Sequence, residues 1–178
     1  MNRKSRLAVI ATLLVCIALV NWSIFQKEHQ LSDGTAVYLR LAPVDPRSLM
    51  QGDFMALRFE IANEINAAIR QTTDTTNVDF DQSARDGKVL VALDENRVGE
   101  FVGLYTGQAM ESNYVLLQFR VRHGTVKFAT NAFFFQEGQA EIYESAAYGL
   151  FRVADDGHVL LASLHDNTLK RLGSESNH

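Results

Sequence analysis

Cysteine is almost absent from this chain of 178 residues, in which Cys16 is the only one. A single thiol excludes an intramolecular disulfide and any metal site built from several cysteines. Proline occurs only 2 times, and the 11 glycines are too few for a collagen-like chain. Hydrophobic residues nevertheless make up 47% and charged residues 21% of the sequence, a composition that excludes a wholly disordered chain.

Positive charge is scarce beyond the N-terminus. The 17 basic residues include Arg3, Lys4 and Arg6, whereas none of the 21 acidic residues lies in the first 25 positions. The rest of the chain therefore carries 14 basic against 21 acidic side chains. Nucleic-acid binding depends on a basic face toward the phosphates, so we expect no nucleic-acid partner.

The familiar catalytic and metal-binding motifs are missing as well. The sequence has no G-x-S-x-G, S-x-x-K, Walker, G-x-G-x-x-G or H-E-x-x-H pattern, and no two of its five histidines stand four residues apart. Asp79 and Asp81 begin a segment like a calcium loop, but Ala84 and Leu90 occupy the positions that need glycine and glutamate. We therefore expect no metal site and no cofactor, and the sequence favours a protein that is not an enzyme.

The longest apolar run lies near the N-terminus. Residues 1–6 are polar and basic, and residues 7–25 are mostly apolar. At about 1.5 Å per residue, a helix over residues 7–25 is roughly 28 Å long, close to the hydrocarbon thickness of a bilayer. Residues 20–25 are bulky where a cleavage site needs small side chains, which favours an uncleaved signal anchor over a cleaved signal peptide. Under the positive-inside rule the basic end stays in the cytoplasm and the rest of the chain lies across the membrane.

The remainder of the chain predicts mainly short β-strands. Ile61, Ile65 and Ile69 repeat every four residues and predict a helix over 60–70, and a second helix is expected over 137–147. The expected fold is a single N-terminal transmembrane helix followed by an α+β, mostly antiparallel β domain, either a sandwich or an open barrel. Alternating apolar and polar residues predict about eight strands, over 35–41, 54–59, 88–93, 98–105, 114–122, 125–135, 148–154 and 158–164.

Turn and loop signals complete the organisation of the chain. A two-residue turn is predicted at His123-Gly124, a hairpin turn at residues 155–157, and a polar loop over residues 71–87. We expect the chain after Asp166 to fray. The predicted segments are a basic end (1–6), a transmembrane anchor (7–25), a linker (26–34), a β-rich domain (35–166) and a polar tail (167–178).

The most distinctive stretch is a corner at residues 41–61. Asp45-Pro46 opens one turn, because proline fixes φ and aspartate bonds local backbone, and Gly52-Asp53 makes a second. One interpretation is a structural corner whose carboxylates cap backbone N–H groups, and the other is a binding site. The candidate charged network consists of Asp45, Arg47, Asp53 and Arg58.

Residues 52–59, with the sequence Gly-Asp-Phe-Met-Ala-Leu-Arg-Phe, resemble the motif that names the bacterial GDYXXLXY proteins. Phe54 and Phe59 stand in place of both named tyrosines, which favours packing at these positions over a role for a phenol hydroxyl. Residues 43–49 are similar to the family too. So is a later run that holds Glu137, Gly138, Tyr143, Glu144, Ala147, Tyr148, Gly149, Arg152, Val153, Gly157, Leu160 and Leu161.

The resemblance implies a protein of the bacterial inner membrane with a periplasmic domain, often encoded beside a multi-spanning membrane protein. Such a protein is the expected partner, besides the lipid bilayer around residues 7–25. The resemblance supplies no catalytic residues. The candidate motif and binding residues are Asp45, Pro46, Arg47, Gly52, Asp53, Leu57, Arg58, Glu137, Gly138, Glu144, Tyr148 and Arg152.

Three functions from different classes are compatible with these patterns. The first is a non-enzymatic accessory or regulatory domain of a multi-spanning membrane protein. The second is a periplasmic ligand-binding or sensing module that uses the charged corner with Glu144 and Arg152. The third is a hydrolase, because residues 47–53 are similar in shape to a turn of anchored signal peptidases. In that comparison Ser48 falls at the threonine position and Val44 at the serine position, and a serine nucleophile also needs a base in contact with it.

Overall fold

A computed structural model of the chain describes residues 3–42, 50–51, 54–73, 85–110, 112–130 and 132–173. The chain divides into two compact units, Met1–Gly34 and Thr35–His178. Most of the predicted corner, residues 43–49 and 52–53, lies outside the described residues.

The first unit consists of helix α1, which spans Arg3–Asp33. Its portion Val9–Asp33, 25 residues, is long and apolar enough to cross a membrane, and no other helix in the described ranges is. Its large apolar side chains, such as Trp22 and Phe25, are exposed. The expected linker continues this helix through residue 33, where His29 Nδ1 lies 2.6 Å from Asp33 Oδ2 one turn away.

The second unit contains three sheets whose strand pairs are antiparallel. The first sheet joins β1 (Thr35–Arg40), β9 (Tyr148–Val153) and β10 (Val159–His165), in that order. The second joins β2 (Met50–Gln51), β3 (Phe54–Ala56) and β8 (Ala132–Phe134). The third joins β5 (Gly99–Leu104), β4 (Arg85–Leu93), β6 (Tyr114–Arg122) and β7 (Thr125–Lys127).

This architecture confirms the predicted fold class, an apolar N-terminal helix followed by a mostly antiparallel β domain, with sheets that include a half-barrel. The described residues form ten strands rather than eight. Residues 125–135 were expected as one strand, but they form β7 and β8, which belong to different sheets. The two-residue strand β2 lies in the segment expected to be a corner.

The predicted alternation and turns are seen most clearly around β6. Leu117, Phe119 and Val121 are buried on one face of this strand, while Arg120 is exposed on the other. His123 and Gly124 follow with φ of 52° and 68° and reverse the chain into β7. Positive φ at both central residues matches the right-handed twist of the flanking strands.

Helix α2 spans Glu60–Thr73 and buries Ile61, Ile65 and Ile69, as predicted. It extends three residues into the expected loop, and β4 begins within the other end of that loop. The second predicted helix, over 137–147, is wrong in length, because only α3 (Ala140–Tyr143) is helical. Gly138 has a φ of 82°, and the Ala147 N–H donates to the His165 carbonyl in the neighbouring sheet, so neither flank continues the helix.

The chain after Asp166 does not leave the domain at once. The Leu172 N–H donates to the Leu164 carbonyl at 2.8 Å, and Arg171 forms a bridge with His165. Residues 167–173 therefore lie along the end of β10 instead of fraying. The apolar core beneath the strands centres on the fully buried Phe151, Leu39, Ile65, Leu90, Leu117 and Leu164.

Candidate functional site

The motif strand β3 and the residues after it contribute one face to the core. Met55, Leu57 and Phe59 are buried, whereas Arg58 between them is exposed. After β3 the chain pairs with the residues that follow β1, where the Ala42 N–H donates to the Arg58 carbonyl at 2.8 Å. Leu57 is therefore a packing residue, and the Arg58 side chain reaches solvent.

Phe59 joins the motif to the later family-like run. Its ring makes edge contacts with Phe151 and Phe128, with centroids 5.2 and 5.9 Å apart. A Cβ built on Gly149 would lie 3.1 Å from the Phe59 ring, so β9 passes directly under that ring. The two resemblance segments thus meet in the core, where the absence of a side chain at Gly149 leaves room for the Phe59 ring.

The opposite face of the motif strand presents an aromatic surface to solvent. Phe54 on β3 stands opposite Phe134 on β8, and their ring centroids are 5.8 Å apart. Phe134 is 74% exposed, more than any other large apolar side chain in the described chain. Its neighbours Phe133 and Phe135 turn inward onto Tyr143. We call Phe54 and Phe134 the aromatic edge, because β8 is the outer strand of its sheet as described.

Asp45, Pro46, Arg47, Gly52 and Asp53 lie outside the described residues. The predicted network of Asp45, Arg47 and Asp53 with the exposed Arg58 stays a prediction. The same holds for Ser48, Asp79 and Asp81.

The remaining predicted residues lie on separate elements. Glu137 and Gly138 form an exposed turn after β8, and Glu144 is exposed just after α3. Tyr148 begins β9, with the Arg40 guanidinium 5.5 Å from the centre of its ring. Arg152 is half-buried near the end of β9. None of them lines the cavity beside Tyr143 or the cleft beside Arg120, so their role in ligand binding also stays a prediction.

Strand β10 carries a Ser–His pair that no sequence motif indicated. Ser163 Oγ lies 2.9 Å from His165 Nε2, and His165 Nδ1 lies 2.8 Å from the Leu169 carbonyl. A carbonyl only accepts, so Nδ1 carries the proton, and Nε2 accepts from the serine hydroxyl. The available signal was the spacing, because residues i and i+2 of a strand share one face.

This contact has the geometry of a nucleophile and its base, but its surroundings favour a structural role. Ser163 and His165 are 6% and 5% exposed, and the Tyr38 ring meets His165 edge-on at 5.0 Å. Ser163 contributes to a cavity of about 440 Å³ that is otherwise lined by residues such as Phe133 and Tyr143. The pair satisfies two buried polar groups and ties the turn at Leu169 to β10.

Asp166 stabilises the same turn from outside. Its carboxylate accepts hydrogen bonds from the Thr168 hydroxyl at 2.7 Å and from the Thr168 and Lys170 backbone N–H groups at 2.8 and 3.0 Å. These bonds, the Thr168 hydroxyl first, lower the pKa of Asp166 below its ordinary value. No group of three or more His, Cys, Asp or Glu residues in the described ranges is arranged to hold a metal.

Comparison with known proteins yields one match. A family model described as GDYXXLXY protein matches residues 16–164, which cover most of the chain. No curated protein and no solved structure matches the sequence.

Proposed function

Since this chain belongs to the GDYXXLXY family, we propose that it is a membrane-anchored, non-enzymatic domain that binds a multi-spanning protein of the bacterial inner membrane as an accessory or regulatory partner. In this proposal the α1 segment 7–25 crosses the bilayer with Arg3, Lys4 and Arg6 in the cytoplasm. The domain that begins at Thr35 then lies in the periplasm.

The observation that carries a binding role is the aromatic edge. An aromatic side chain that is 74% exposed is poorly accommodated by water, and Phe and Tyr are enriched in the buried centres of protein interfaces. Strand β8 also presents an outer strand edge, which offers backbone groups to a partner. Aromatic side chains beside an open strand edge favour protein binding over catalysis.

The covalent link between α1 and the β domain favours a partner that lies in the same membrane. Residues 26–33 extend α1 beyond the proposed anchor, and eight residues of helix rise about 12 Å. Strand β1 starts two residues after the helix ends. In this proposal the covalent link keeps the domain attached to the membrane that also holds the multi-spanning partner.

The burial of Ser163 and His165 supports a role without hydrolysis. A nucleophile must be accessible to its substrate, and although Ser163 contributes to a cavity wall, both side chains are at most 6% exposed and are hydrogen-bonded to each other. The pair is therefore better explained as part of the packing of β10 than as a catalytic dyad.

The test is co-purification of the tagged full-length chain in a mild non-ionic detergent. We expect a multi-spanning protein in stoichiometric amount with the wild type and its loss with Phe134→Ser. The matched control is Val102→Ser on β5, which changes another exposed apolar side chain. Purification of the wild type alone, or equal retention of the partner by Phe134→Ser, would refute the proposal.

A further inference from the structure

Two cations stand side by side on the polar face of the third sheet. Arg120 on β6 is directly opposite Lys127 on β7 in the strand register. Directly opposed residues have Cβ atoms about 4.5–5.5 Å apart, and like charges in that position destabilise the sheet. Residues whose placement lowers the stability of the fold are typical of functional sites.

A third cation lies on the same face. Lys88 on β4 is opposite Gln118, two residues from Arg120, which makes it a diagonal neighbour of the arginine at about 7–8 Å between Cβ atoms. Three cations are thus grouped in a domain whose overall balance is acidic.

The two nearby carboxylates, those of Asp86 and Asp156, bond residues other than these three cations. Asp86 is opposite Arg120 in register, yet its Oδ1 lies 2.9 Å from Arg122 Nη2. Asp156 accepts from the His158 backbone N–H and contacts the His158 ring at 2.9 Å. Within the described ranges, no carboxylate is in ion-pair contact with Lys88, Arg120 or Lys127.

These cations line a cleft of about 340 Å³ together with His158. Asp86, whose carboxylate contacts Arg122, and Gln118 also line the cleft, and the buried apolar residues Phe119, Phe128 and Val159 contribute to its wall. Ligand pockets begin at roughly this volume, so the cleft accommodates an anionic head with a small organic substituent. We call this site the basic cleft.

Hydrogen bonds within the protein hold the walls of the basic cleft in place. The Gln118 N–H donates to the Gly157 carbonyl at 2.8 Å, and Gln118 Nε2 donates to the Asp156 carbonyl at 3.1 Å. These bonds fasten the turn before β10 onto β6. The bond to the His158 backbone N–H, aided by the ring of that histidine and by the charge of Lys88, lowers the pKa of Asp156.

We propose that the basic cleft binds a phosphate-type oxyanion through Lys88, Arg120 and Lys127. A phosphate carries up to two charges and several acceptor oxygens, so it complements three neighbouring cations of one cleft better than a single carboxylate does. The same group is offered by a soluble phosphate ester and by the headgroup of an anionic phospholipid. The site uses residues of the third sheet and does not depend on the aromatic edge.

The test is lysine footprinting on the full-length chain in phosphatidylcholine nanodiscs. An amine-reactive reagent is applied with inorganic phosphate or with chloride at equal ionic strength, and modification of each lysine is quantified by mass spectrometry. We expect phosphate to protect Lys88 and Lys127, while the exposed Lys170 serves as the internal control. Protection without added phosphate in phosphatidylglycerol nanodiscs identifies a lipid headgroup as the source.

Arg120→Gln leaves both reporter lysines in place. Loss of one charge-assisted bond should weaken phosphate binding by roughly tenfold or more. Arg70→Gln removes an exposed arginine of α2 and should bind as the wild type does. Because Arg120→Gln also relieves the repulsion with Lys127, its melting temperature without phosphate should not fall, which shows that the variant is folded.

Three results would overturn the proposal. One is equal modification of the cleft lysines in every phosphate and lipid condition. Another is phosphate protection in Arg120→Gln as strong as in the wild type. The third is protection by succinate but not by phosphate, which would assign the cleft to carboxylates.

Discussion

Two phenylalanines, Phe59 in the motif segment and Phe134 on β8, allow the same substitution to be made inside and outside the core. Phe59 is 4% exposed and contacts the rings of Phe128 and Phe151, whereas Phe134 is 74% exposed. Replacing a buried phenylalanine by alanine costs about 3–5 kcal/mol, since apolar contacts are lost and a cavity remains. Phe134→Ala should change the free energy of unfolding by less than about 1 kcal/mol, because it loses mainly one ring contact with Phe54.

The measurement is thermal unfolding of the full-length variants in the same detergent, followed by near-ultraviolet circular dichroism. For a domain of this size, about 1 kcal/mol shifts the melting temperature by roughly 2–4 °C. Phe59→Ala should therefore melt on the order of 10 °C below the wild type, and Phe134→Ala within a few degrees of it. Equal shifts, or a larger shift for Phe134→Ala, would refute the assignment of one ring to the core and the other to a binding surface.

Three further predictions concern packing, the buried pair and pH. Gly149→Ala should lower the melting temperature by the equivalent of about 1–3 kcal/mol, since its Cβ would meet the Phe59 ring and overpacking is destabilising; an unchanged melting temperature would contradict this packing. Ser163→Ala should cost about 1–3 kcal/mol by leaving His165 without its partner, as chemical denaturation would show; an unchanged midpoint would contradict the structural role of this contact. The folded pKa of Asp166 is lowered, so its stabilisation of the turn is present above the unfolded pKa and is lost as the pH falls through the folded value. The protection of the turn amides, measured as hydrogen exchange relative to the intrinsic rate at each pH, should therefore fall at acid pH in the wild type and much less in Asp166→Asn; the same acid response in both would refute this role.

Much of the fold could be predicted because its signals are local. The alternation of Leu117, Phe119 and Val121 specifies one buried face of β6 whatever the strand packs against. The isoleucines of α2 repeat at the helical period in the same way. The helix predicted over residues 137–147 was wrong in length. The Ala147 N–H donates to the His165 carbonyl of β10, a contact that the sequence does not reveal.

The candidate sites depend on contacts between residues distant in sequence. The repulsion of Arg120 and Lys127 follows from the register of β6 and β7, but the addition of Lys88 and His158 depends on how β4 and the turn before β10 lie against β6. The aromatic edge likewise arises because β8 pairs with the motif strand across some eighty residues of sequence. Three consecutive phenylalanines at residues 133–135 do not themselves show which ring is exposed and which two are partly buried.

The most direct test of the binding role is site-specific photo-crosslinking in intact bacterial membranes, with a photoreactive phenylalanine derivative in place of Phe134. The proposal predicts a discrete adduct with a multi-spanning membrane protein from this position. The same derivative at Val102, another exposed apolar position, should give no such adduct. No adduct at position 134, or the same adduct from both positions, would contradict the claim that the aromatic edge is where this domain meets its partner.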